Sequence, residues 1–101
     1  MEVTGWNNGA KKISGSGYGF RVSIKDRDAY FKKDWNSVLL VLAKENEVEV
    51  KITPSFWNRC FELRSKEIGK WLIRNGFGSW SKGNPPKFAI VQIKNNRFKV
   101  L

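Results

Sequence analysis

The chain has 101 residues, 41% of them apolar and 14% aromatic, and carries nineteen Lys or Arg against nine Asp or Glu for a net charge of +10. That length suits one small domain burying about 60–70% of the surface its unfolded chain exposes, and the apolar share excludes a disordered chain. With no histidine and one cysteine, Ser-His-Asp and Cys-His catalysis, histidine-held metals, zinc knuckles and an internal disulfide are excluded.

Taken in chain order, residues 5–19 (GWNNGAKKISGSGYG) hold five of the nine glycines. They read as loop, so residues 1–17 are expected to form a flexible arm and 18–101 a single domain. GSGYG lacks the preceding strand and following helix of a phosphate loop. Phe20, Val22 and Ile24 alternate with polar residues and predict a strand. Residues 25–33 have acids first and lysines last, which suits a short helix with Asp26 as its cap.

Residues 37–43 are mostly apolar and read as a buried strand. Lys44 to Glu47 form a polar turn. Val48, Val50 and Ile52 alternate with charged residues and complete an antiparallel hairpin. The apolar run is far shorter than the roughly 18 residues that cross a bilayer, and the opening MEVTGWNNG has no basic-then-apolar leader pattern.

Thr53-Pro54 starts a helix, a hydroxyl cap followed by proline at the first turn. Phe56, Trp57, Cys60, Phe61, Leu63, Ile68, Trp71 and Leu72 share one face of a helical wheel. A break is expected near 64–66, with Ser65 capping a second helix and Gly76 ending it in the left-handed conformation. Cys60 reads as a core thiol in a reducing, cytoplasmic setting. Residues 87–93 and 97–101 flank Lys94-Asn95-Asn96 and form a second hairpin. Strand, helix, hairpin, helix pair and hairpin make an α+β domain with a mainly antiparallel sheet. In outline this order resembles the DNA-binding pseudobarrels of the B3 type. A helix pair followed by a hairpin also resembles a winged helix.

Charge is segregated along the chain. Residues 1–50 carry eight bases and seven acids, residues 51–101 eleven bases and two acids. A field of one sign raises the local concentration of polyanions, so DNA or RNA is the expected partner. Arg59, Lys66, Lys70 and Arg74 fall within about 80° on the wheel, with Lys66, Lys70 and Arg74 spaced roughly 6 Å along the axis, close to the phosphate spacing of one strand. Trp80, Lys82 and Lys87, with Lys94, Arg97 and Lys99 on the last hairpin, add a ring for base stacking and cations for phosphates. Trp6, Trp35, Trp57 and Trp71 read as packing residues.

The reading is a non-enzymatic nucleic-acid-binding module needing no cofactor. An acidic protein partner fits the same basic surface. Asp34 with Glu49-Val50-Lys51 matches the bare spacing of a metal-dependent nuclease, although Glu-x-Lys is also the wet face of any amphipathic hairpin.

Overall fold

Alternation decides which way each strand faces. In the computed structural model, which describes residues 1–43 and 46–101, the elements are β1 (Glu2–Asn7), β2 (Tyr18–Val22), α1 (Ile24–Tyr30), β3 (Ser37–Ala43), β4 (Asn46–Lys51), α2 (Pro54–Asn58), β5 (Glu62–Arg64), α3 (Lys66–Arg74), β6 (Lys87–Lys94) and β7 (Arg97–Val100). The class is α+β. The strands form one sheet in the order β4-β3-β7-β6-β1-β2-β5. Among the described residues only β3 and β7 run parallel. The edge strands β4 and β5 approach each other, curling the sheet towards a barrel.

Val3, Phe20, Val38, Leu40, Val50, Leu63, Phe88, Ile90, Phe98 and Val100 meet in one buried cluster on the inner side. Each such side chain contributes about 1.5–3 kcal/mol by leaving water. α2 and α3 cover that side with Phe56, Ile68 and Leu72, whereas α1 buries none of its own residues. Trp71 of α3 stands edge-on against Phe20 and Phe88 at 6.0 and 5.3 Å. Phe56 of α2 reaches Phe31, which stacks on Phe98. Arg27 of α1 donates to the carbonyls of Phe56 and Trp57 and lies over the Trp57 and Phe61 rings, tying α1 to α2. No helix among the described residues is long and apolar enough to cross a membrane.

Both expected hairpins form. Val48 pairs with Leu40 and Val50 with Val38, while Glu47, Glu49 and Lys51 stay exposed. Lys44 and Glu45 of the expected turn lie outside the described residues, and Asn46 and Glu47 belong to β4. In the β6–β7 turn Asn95 takes a positive φ of 51°, as asparagine tolerates. Ser65 caps α3 by accepting from the Glu67 N–H at 3.1 Å. At its other end, Gly76 (φ 83°) donates to Ile73 O and Phe77 to Leu72 O, a Schellman motif.

Four expectations need correction. The supposed arm is not free: residues 2–7 form β1, paired with β2 and with β6. Residues 53–75 are not two adjoining helices, because β5 separates α2 from α3. Extended backbone there gives β2 a second hydrogen-bonded neighbour through Leu63 and Arg64, and buried peptide groups demand such partners. β5 between the helices also removes the winged-helix likeness. Ser23, not Asp26, caps α1, its hydroxyl accepting from the Asp26 N–H. Cys60 is half-buried and outside the core cluster.

Candidate nucleic-acid interface

The predicted cations fall into separate groups. Lys66, Lys70 and Arg74 lie exposed on α3, whose Ile68, Gly69 and Leu72 are buried. Lys70 is engaged by Glu67 at 3.3 Å. Arg59 follows α2 as its C-terminal cap, on the far side of β5, so the wheel that joined it to the α3 stripe does not exist. Lys82 is exposed in the loop before β6.

Lys87, Arg97 and Lys99 alternate with the inward Phe88, Phe98 and Val100, so they face outward. Lys94 is exposed at the end of β6. Trp71 packs on Phe88 from the inner side, so the body of α3, with Lys70 and Arg74, lies on the side opposite these strand cations, and only its first residue, Lys66, borders the outer-face cleft of Trp6 and Arg64. One surface does not collect them all. Arg97 is moreover paired with Glu47 from the first half of the chain at 2.7 Å.

The structure gathers a different set. On the outer face Lys87 is opposite Thr4, Thr4 opposite Arg21, and Arg21 opposite Glu62. In the next row Trp6 is opposite Gly19 and Gly19 opposite Arg64. Gly19 leaves an open position, and the Arg64 guanidinium reaches across it to lie 4.6 Å from the Trp6 ring centre. A Cβ at Gly19 would fall on Leu63 O and within 3.1 Å of Arg64 Cα, so the close approach of β5 requires glycine here.

Trp6 lines two clefts. One, of about 310 Å³, is bordered by Arg64, Ser65, Lys66 and Tyr18. The other, of about 300 Å³, is bordered by Thr4, Arg21, Trp80 and Pro85. Trp80 packs against the core: its ring meets Tyr18 edge-on at 6.4 Å and sits 3.3 Å from where a Gly5 Cβ would be. The Tyr18 hydroxyl donates to Gly78 O and pins the same loop. Trp80 is therefore a loop anchor with one side on a cleft. Trp6, expected to be a packing residue, is the tryptophan that the core cluster leaves out.

No family model, curated protein or solved structure matches this chain.

Glu62 holds the platform together. Its carboxylate is 3% exposed and accepts from Arg21 at 3.2 Å and from Arg64 at 3.0 Å, whose side chains are 56% and 52% exposed. It offsets part of the charge of both arginines and fixes their stems. Glu62→Gln keeps the shape and removes the charge. Because both arginines can be solvated, the expected cost is about 1–2 kcal/mol rather than that of stranding a buried charge. Urea unfolding of the two proteins measures it.

The nuclease spacing gains no geometry. The Glu49 carboxylate accepts from the Ser37 hydroxyl at 3.0 Å, and Asp34 is exposed in the turn after α1. Among the described residues no three Asp, Glu or Cys side chains are grouped to hold a metal ion.

Proposed function

We propose that this protein is a non-enzymatic module that binds nucleic acid chiefly through its phosphates. One observation carries the reading: the outer face of β6–β1–β2–β5 presents Lys87, Arg21 and Arg64, with Lys66 at its rim, around an aromatic ring. Its acids are Glu62, buried and already bonded twice, and Glu2 at the far end of the β1 row. The surplus of ten positive charges adds a long-range field that draws a polyanion in. Lys70 and Arg74 extend the basic surface along α3, away from the sheet face.

Each neutralised phosphate releases condensed cations, so log affinity falls with log salt by about 0.7–0.9 per contact. Four contacts predict a loss of roughly 50- to 150-fold between about 50 and 200 mM salt. Fluorescence anisotropy of labelled oligonucleotides at several salt concentrations reads this slope. Reversing Arg21 and Lys87 to Glu should weaken binding more than reversing Arg97 and Lys99. Absence of binding to either single strands or duplex at low salt would end the proposal.

A further inference from the structure

We infer that the ligand is a single strand, and that one unpaired base enters the cleft between Trp6 and Trp80. This rests on the nucleic-acid reading and names the form of nucleic acid that the site takes. Four of the five tryptophans pack on the core, while Trp6 stands on the outer face. Its neighbour across β2 is Gly19, so no β2 side chain directly opposite covers the ring. Arg64 from β5 lies over the ring at 4.6 Å and holds its orientation.

The cleft that Trp6 shares with Trp80, Arg21 and Pro85 has about 300 Å³. That is the lower end of the range for small-molecule sites and suits one flat ring system. Arg21 and Lys87 stand in the adjacent row on either side of Thr4. They are two strand spacings apart, about 9.6 Å; Arg21 lines the cleft itself, and Lys87 stands beyond Thr4, along the row where the phosphates beside an inserted base would run. A single strand offers unpaired bases to such a ring. A duplex must first unstack and unpair one before it can enter. The same chemistry takes DNA or RNA.

The test titrates wild type, Trp6→Ala and Trp6→Phe with labelled oligothymidylate, oligouridylate and a mixed-sequence duplex. Wild type should prefer single strands. Trp6→Ala should lose at least about five-fold on single strands, the lower bound of one lost stack, with little change on duplex, and Trp6→Phe should recover most of it. The thymidylate and uridylate arms report whether DNA or RNA is preferred. Equal or tighter duplex binding, or an unchanged Trp6→Ala, overturns the inference while leaving phosphate binding intact. No binding by wild type removes both. Photocrosslinking of an iodouracil oligonucleotide to wild type gives a readout free of folding effects: an adduct on Trp6 or Trp80 is expected, and one confined to α3 or the β6–β7 hairpin overturns the inference.

Discussion

Phe98→Ala is expected to lower stability by about 3–5 kcal/mol, the usual cost of deleting a buried phenyl ring. Phe98 is fully buried on β7. It stacks on Phe31 at 5.0 Å and meets the Trp35 ring edge-on at 6.3 Å. β7 also joins the two halves of the sheet, pairing with β3 on one side and β6 on the other. A cavity there loosens both halves at once. Against a total of about 5–15 kcal/mol the loss is large, and the midpoint of thermal unfolding should fall by more than about 12 °C. Urea unfolding followed by tryptophan fluorescence measures it. Lys99→Ala, one residue along on the outer face, should change stability by less than about 0.5 kcal/mol. Similar values for the two variants would show that the core is not centred on β7.

The elements legible in the sequence were those stabilised by local signals. β4 alternates over six residues, so its inward Val48 and Val50 are plain in the string. The ends of α3 follow from Ser65 and Gly76, each acting on backbone groups within five residues. β1 and β5 carry no comparable signal. β1 contains Gly5 and Asn7, both poor strand formers, and β5 has only three residues. Both are strands because β2 lies between them and needs partners on each side. That requirement acts between residues 11–19 apart for β1 and 41–45 apart for β5, and a helical wheel cannot see it. The wheel over 53–75 found a continuous apolar face because short segments facing one core supply apolar residues at many spacings.

The candidate site shows the same division. Charge segregation is a statement about one dimension, and strand alternation turns it into two faces. Lys87, Arg97 and Lys99 go outward for the reason that Phe88, Phe98 and Val100 go inward, while α3 lies on the inner side. The signal for the outer platform was present in parity. Once Val3 and Phe20 are inward, Thr4, Trp6 and Arg21 must point the other way. What hid it was the glycine-rich composition around Trp6, which reads as loop. The pairing of Glu62 with Arg21 and Arg64 depends on strand neighbours and was not accessible from spacing.

Gly69→Val is expected to cost about 3 kcal/mol, the upper end of overpacking penalties. Glycine in a helix interior is ordinarily a liability of about 0.5–1 kcal/mol relative to alanine, so at an open position a larger residue would help α3. Gly69 is buried, and a Cβ there would fall on Gly15 O and within 2.6 Å of Gly15 Cα. Both are backbone atoms, so no side-chain rotation relieves the clash. The fit is mutual: Gly15, with φ 88°, would place its own Cβ on Lys66 O and 2.8 Å from Lys70 N. The loop joining β1 to β2 thus rests directly on the α3 backbone, and two residues further it supplies Gly17 to the cleft beside Trp6 and Arg64. Pushing the loop away should lower the urea midpoint and also weaken oligonucleotide binding. Gly78→Ala provides the contrast, since its Cβ would meet Ile73 at an ordinary 3.4 Å and should be close to neutral. If Gly69→Val matched the wild type in urea, the loop would have room to move off α3, and the seating of Trp6 would depend on β1 and β5 alone.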